Sequence, residues 1–159
     1  MSDIERLRDA CIYAVRNSHD PDTQNGAVLV AKAGTIYAAN CVPPGVARPG
    51  HRLARPFKYD FVEHAERAAI YKAAQVGVAT EGATLYCPWF ACTDCARAIV
   101  SAGIKEVVGL IVLRNATPAR WLLKVELAEK MLAESGVSQR LLAEKVGVMI
   151  RFDGRDFQC

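Results

Sequence analysis

The sequence predicts an α/β fold: a central mixed sheet between helices, a three-layer α-β-α sandwich forming a single domain over residues 1–159. Three observations carry this. An amphipathic helical pattern precedes two β-prone runs joined by a short turn. Downstream, strand and helix patterns alternate in a βαβ rhythm, which builds a sheet covered on both faces. With 159 residues, 52% of them hydrophobic, the chain is long and apolar enough for one core of that kind.

The elements follow in order. Ile4, Leu7, Ala10, Cys11, Ala14 and Val15 recur at intervals of three and four, the pattern of a helix laid on one sheet face. Gly26–Ala31 and residues 35–40 are apolar or β-prone, and Lys32-Ala33-Gly34 between them signals a hairpin. The stretch 41–60 is irregular, with Pro43, Pro44, Gly45, Pro49, Gly50 and Pro56; a loop this long in a compact domain is usually functional. Helical periodicity then covers 63–76 and 93–102, with strands expected at 83–87 and 107–113. Residues 120–134 carry Trp121, Leu122, Val125, Leu127, Ala128, Met131 and Leu132, a wide apolar stripe to pack on the sheet or on another subunit. Gly136 ends that helix, and a short helix at 138–145 and a last strand at 148–152 complete the chain.

Composition narrows the function. The net charge of +3 does not argue for nucleic acid, which is not expected as a partner, but its distribution is informative. No acidic residue lies between Asp22 and Asp60, while Lys32, Arg48, Arg52, Arg55 and Lys58 do, which suits an anionic small molecule; the plain alternative is a solvated basic loop. The start, Met1-Ser2-Asp3-Ile4-Glu5-Arg6, has no basic region leading into an apolar stretch, and no run reaches membrane-spanning length. A cytoplasmic protein without membrane contact is expected, and its six cysteines are expected to stay reduced. Cys11 and Cys87 read as small buried apolar residues, and Cys41 and Cys159 have no assigned role. A second metal at Cys41 with His19 or His51 would match no familiar ligand spacing.

The chemistry is carried by His64-Ala65-Glu66 and Cys92-Thr93-Asp94-Cys95. One imidazole and two thiolates supply three ligands for Zn2+ and leave the fourth tetrahedral position to water, the mark of a catalytic zinc. Cys92 and Cys95 lie three apart, so at a helix start both sulfurs face the same side. His64 and Glu66 lie two apart and would point differently on a regular helix, so Glu66 is read as the proton carrier rather than a ligand. Helix N-termini also favour the thiolate form that zinc needs.

In this arrangement the chain resembles the cytidine deaminase superfamily, within it most closely the deoxycytidylate (dCMP) deaminases. Ser18-His19-Asp20-Pro21-Asp22-Thr23-Gln24-Asn25-Gly26-Ala27-Val28 is similar to the segment entering their first strand, and Trp89-Phe90-Ala91-Cys92-Thr93-Asp94-Cys95-Ala96 to their zinc element. The similarity covers residues 4–113. Two departures stand out. Ala91 replaces the usual proline, and Ala38-Ala39-Asn40-Cys41 stands where many dCMP deaminases have Gly-Tyr-Asn-Gly, a motif associated with control by nucleoside triphosphates.

The resemblance implies a cytidine deaminase-like sandwich and hydrolytic deamination of a free cytosine nucleotide, dCMP to dUMP with release of ammonia. It implies zinc on His64, Cys92 and Cys95, with Glu66 moving protons to N3 and to the departing amine. The backbone N–H groups of Ala65 and Glu66 would face O2, the Phe90 carbonyl would accept from the amino group, and Asn40 would contact the 3′-hydroxyl. The phosphate would fall to Arg48, Arg52, Arg55 or Lys58 from the loop, or to Arg114 from the opposite rim. A homo-oligomer is expected. The alternatives are a deaminase of a cytosine nucleoside, of another aminopyrimidine or of a base in tRNA, and a zinc-stabilised interaction module. The tRNA enzymes usually carry Pro-Cys-x-Met-Cys, unlike Cys92-Thr93-Asp94-Cys95, and a purely structural zinc has no use for Glu66.

Overall fold

The computed structural model describes residues 1–159. Its first helix, α1 (Asp3–Asn17), starts at a reciprocal cap: the Ser2 hydroxyl accepts from the Glu5 N–H at 3.3 Å and the Glu5 carboxylate accepts from the Ser2 N–H at 2.6 Å. Leu7, Ala10, Cys11 and Ala14 form its buried stripe. The helix lies against the hairpin of β1 (Gly26–Ala31) and β2 (Gly34–Ala39). A Cβ at Gly26 would sit 2.0 Å from the Ala10 carbonyl oxygen, so the close approach of helix to strand requires glycine there.

The stretch expected to be irregular holds a 3-10 turn (Gly50–Leu53) and the single-turn helix α2 (Lys58–Phe61). Helix α3 (Ala65–Gln75), strand β3 (Thr84–Tyr86), helix α4 (Thr93–Ser101) and strand β4 (Glu106–Leu110) then supply the expected alternation. The strand expected over 107–113 stops at Leu110, where the chain turns into α5 (Ile111–Asn115). Ile111 and Val112 are 39% and 38% exposed, so the run has left the core despite its apolar composition. After α6 (Ala119–Glu134) comes a second correction. The helix expected at 138–145 is instead a strand, β5 (Ser138–Leu142), paired in parallel with β4 from Glu106↔Ser138 to Leu110↔Leu142. Sheet pairing overrides local helix preference there, and Arg140 fixes the strand by donating to Glu106 at 2.8 Å and to Asp3 at 2.7 Å. The strand expected to be last, β6 (Met149–Phe152), is followed by β7 (Arg155–Gln158), and the two form a separate hairpin.

The main sheet runs β2-β1-β3-β4-β5, antiparallel on the β2-β1-β3 side and parallel across β3-β4-β5, so it is mixed. Adjacent Val107 and Val108 belong to different apolar clusters, because successive side chains in a strand face opposite sides. Val107 packs with α3, α4 and α6; Val108 packs with α1 and the β6-β7 hairpin, through Leu7, Cys11, Ile150 and Phe152. One outer layer is therefore three helices, and the other is one helix completed by a hairpin. Cys159 is buried in the second cluster with Cys11, which accounts for a cysteine the sequence left without a role. No helix is long and apolar enough to cross a membrane.

Candidate active site

Two helix starts meet at the carboxyl end of β3, one from α3 and one from α4. His64 is the N-cap of α3 and Cys92 the N-cap of α4, and neither side chain caps its helix. Forgoing a cap costs a helix about 1 kcal/mol. What the two positions provide instead is a donor set. His64 Nδ1 lies 3.5 Å from Cys92 Sγ and 3.4 Å from Cys95 Sγ, and the sulfurs are 3.7 Å apart. Around a tetrahedral zinc, bonds of about 2.3 Å to sulfur and about 2.0 Å to nitrogen require edges of about 3.8 and 3.5 Å. The residues present fit that ion. A salt bridge from Arg67 to Glu63, and a longer contact from Arg67 to Asp94 at 3.8 Å, tie the two helix starts together.

The electrostatics suit a cation. The Cys95 thiol, followed by His64, pulls Cys92 down to about 4 against the effect of burial, and burial pushes Cys95 well up. Burial alone would depress His64, but the Cys92 sulfur and the Glu66 carboxylate outweigh it and hold the imidazole above its usual value.

Glu66, in the first turn of α3, is 2% exposed, and burial raises its pKa. Its Oε2 has no hydrogen-bond partner. Native proteins seldom leave a buried carboxylate oxygen unsatisfied, because the desolvation is not repaid. Glu66 lines the same cleft as His64 and Cys92, so the free oxygen belongs to a place where another molecule can bond to it. Ala68 donates the first intrahelical bond of α3, to the His64 carbonyl at 2.9 Å, which leaves the earlier N–H groups of Ala65 and Glu66 outside the helix ladder.

The cleft also takes in Asn40, Phe90, Arg55 and Lys58 from the sequence-derived set. Asn40 is already engaged. Its Oδ1 accepts from Ser18 Oγ at 2.6 Å and from the Asn25 N–H at 2.9 Å, and its amide donates to the Thr23 carbonyl at 2.7 Å. Lys58 is 4% exposed, with Nζ 2.9 Å from both Asp20 oxygens and 3.2 Å from Asp22. Arg48, Arg52 and Arg114 do not line the cleft. Arg52 lies 4.4 Å over the Phe61 ring, and Arg114 is paired with Glu129.

Other cleft residues were not legible. Trp121, which the sequence placed in a packing stripe, stands edge-on to His64 at 5.7 Å and to Trp89 at 6.1 Å, and Arg120, Tyr59 and Val125 join it in the wall. Asn25 donates to Cys87 Sγ at 3.3 Å, so Cys87 is more than an apolar filler; burial and Glu66 both push its thiol far up. Only the tryptophan beside the zinc element offered a local signal.

Residues 1–111 match the family model described as the cytidine and deoxycytidylate deaminase zinc-binding region. The chain belongs to that family. It is 35% identical over 112 residues to the deoxycytidylate deaminase of Pongo abelii, a match that takes in 65% of this chain and spans 62% of that protein's length. It is 30% identical over 156 residues to a probable deoxycytidylate deaminase of Drosophila melanogaster, covering 89% of this chain and 73% of that one. Among solved structures it resembles the dCMP deaminase of cyanophage S-TIM5. The apo form matches with a TM-score of 0.67 at 22% identity, over 88% of this chain and 96% of that one. The complex of the same enzyme with dCMP and dUMP matches with a TM-score of 0.63 at 22% identity, over 86% and 93%. The matching family model is that of a zinc-binding region, and within the matched stretch His64, Cys92 and Cys95 bring their ligand atoms to within 4.8 Å of one another.

Proposed function

We propose that the protein is a zinc-dependent hydrolase that converts dCMP and water to dUMP and ammonia. The observation that carries this reading is the unpartnered oxygen of buried Glu66 beside a three-donor metal set. A zinc-stabilised interaction module would have no use for it. The deoxycytidylate deaminases among the relatives, and the cyanophage enzyme's binding of dCMP and dUMP, support the choice of substrate.

Zinc held by His64, Cys92 and Cys95 would supply the Lewis acidity that makes water nucleophilic near neutral pH. Glu66 takes the proton that water gives up as the water oxygen bonds to C4, delivers it to N3 of the cytosine ring, and then carries the proton of the new C4 hydroxyl to the departing amine as the C4–N bond breaks. Its raised pKa, caused by burial, brings it closer to the range where a carboxyl both accepts and donates. The N–H groups of Ala65 and Glu66 hold O2, the Phe90 carbonyl orients the amino group, and the remaining amide hydrogen of Asn40 is left for the sugar. Trp89, Trp121, Val62 and Val125 exclude bulk water from the reacting carbon. The phosphate falls to the rim, where Arg55 is 41% exposed.

A cytoplasmic homo-oligomer folded as one domain completes the reading. Leu123 and Leu127, one turn apart on α6 and 65% and 47% exposed, support association through that helix. The test is ammonia release from dCMP, CMP, deoxycytidine, cytosine and a tRNA anticodon stem by the zinc-loaded protein. The reading expects dCMP to lead; turnover of the tRNA stem alone would overturn it.

A further inference from the structure

The cationic rim of the cleft already holds an anion, and that anion belongs to the chain itself. Arg55, from the loop before α2, and Arg120, in the first turn of α6, both line the cleft, and both donate to Asp153 in the β6-β7 turn. Arg55 Nη2 reaches Asp153 Oδ1 at 3.1 Å. Arg120 grips the carboxylate with both terminal nitrogens, Nη2 on Oδ1 and Nη1 on Oδ2 at 3.4 Å. A two-pronged arginine grip fits a phosphate as well as a carboxylate, and a phosphate offers more charge and more acceptor oxygens.

Two features fit this cluster to an exchangeable anion at the cleft. The three side chains are between 35% and 42% exposed, so an incoming anion can reach them, whereas Lys58 and Asp20 are sealed at 4% and 8%. The Asp153 backbone is also set for the purpose. Its φ of 50° is a left-handed conformation that aspartate, asparagine and glycine tolerate best, and the turn is tethered by the Asp153 N–H to Thr23 Oγ1 at 3.3 Å and the Gly154 N–H to the Asp22 carbonyl at 2.8 Å. Thr23 lines the cleft as well. The carboxylate can leave by side-chain rotation while the turn stays docked.

We propose that Arg55 and Arg120 form the cradle for the substrate's phosphate, and that Asp153 is a built-in competing anion that fills the cradle until a phosphate displaces it. Asp153 is thereby a specificity-determining residue. It raises the threshold for occupancy, so that a phosphate dianion enters and a singly charged or neutral ligand gains nothing from the two arginines. This rests on the nucleotide reading given above.

The test compares Asp153→Asn, which keeps the shape and accepts the left-handed backbone, with Arg120→Ala in the zinc-loaded enzyme. Three quantities are read: kcat/KM for dCMP, kcat/KM for deoxycytidine, and inhibition of dCMP turnover by inorganic phosphate. Asp153→Asn should raise the dCMP-to-deoxycytidine ratio, through KM rather than kcat, and tighten phosphate inhibition, each by about tenfold, the scale of one charge-assisted hydrogen bond. Arg120→Ala should lower the ratio by about ten- to a hundredfold. Asp153→Gly, equally at ease at φ 50°, must move the ratio the same way as Asp153→Asn, so a folding defect in one variant cannot shield the idea. A ratio unmoved or lowered in both Asp153 variants overturns the competing anion while leaving dCMP deamination intact. A wild-type enzyme that turns over deoxycytidine as efficiently as dCMP overturns the nucleotide reading itself.

Discussion

Replacing Lys58 by methionine should destabilise the fold rather than remove a phosphate ligand. The ammonium is 4% exposed and its three short contacts go to Asp20 and Asp22, so methionine would fill the space and leave Asp20, 8% exposed, without its counter-charge. Breaking a buried pair from one side costs about 3–5 kcal/mol. Asp20 Oδ1 still accepts the N–H groups of Asp22 at 2.9 Å and Thr23 at 3.2 Å, which favours the low end, about 3 kcal/mol. In a chain of this length that is a fall in Tm of about 6–12 °C. Urea and thermal unfolding of the purified protein measure it. The double variant Lys58→Met/Asp20→Asn, with no stranded charge, should recover part of the loss, giving a coupling above about 1 kcal/mol. A Lys58→Met protein within about 1 kcal/mol of wild type, or single effects that simply add, would show that the buried pair is not what holds this region.

Four further outcomes are expected. Glu66→Gln should keep its zinc and fold while turnover falls by about 10²–10⁴-fold or more, since an amide bonds but cannot shuttle protons; metal analysis beside ammonia release checks both halves. Cys92→Ala or Cys95→Ala should lose the metal and the activity together, and chelation should abolish turnover that added zinc restores. Asp3→Asn should lower stability at neutral pH, because the Arg140 and Tyr86 hydrogen bonds hold the Asp3 carboxyl below its usual value. That contribution is present above the unfolded pKa of about 3.9 and disappears as pH falls through the lower folded one, so the two proteins should converge in acid when unfolding is followed against pH. Deoxycytidine triphosphate should activate weakly or not at all, given side chains at Ala38 and Cys41 where related enzymes have glycine; a dCMP saturation curve with and without it decides the matter.

What was legible in the sequence was what chemistry or local periodicity forces. A zinc site needs specific residue types at specific intervals, so His64, Cys92 and Cys95 could be named from spacing, and Glu66 separated from them by its offset of two. The hairpin of β1 and β2 was equally local. The strand β5 was not, because Ser138-Gln139-Arg140-Leu141-Leu142 has no strand pattern of its own and becomes one only beside β4. Its fixing residue, Arg140, reaches partners 34 and 137 positions away. The rim was legible only in part: Arg55 stood out in the acid-free basic loop, while its companions Arg120 and Asp153 carried no local signal. Arg55 and Arg120 meet at Asp153, which lies 98 and 33 positions from them.

That distribution separates the chemistry from the selection of substrate. The candidate metal donors His64, Cys92 and Cys95 and the proposed proton carrier Glu66 fall within residues 1–111, the stretch that matches the family model. Arg120, Trp121 and Val125 of the cleft wall, and Asp153 behind it, come from the remainder of the chain. The metal donors sit on two helix starts fixed by the sheet, where a displacement of an ångström would break the tetrahedral edges. Trp121 and Val125 pack on the core, but the outer rim of the wall rests on Arg120 and a surface turn, held by exposed ion pairs that can be exchanged at little cost to that core. Under the proposed function, exchanges at Arg120 and in the β6-β7 turn should therefore retune which pyrimidine enters without disturbing the metal donors, while exchanges of His64, Cys92 or Cys95 should abolish the reaction for every substrate alike.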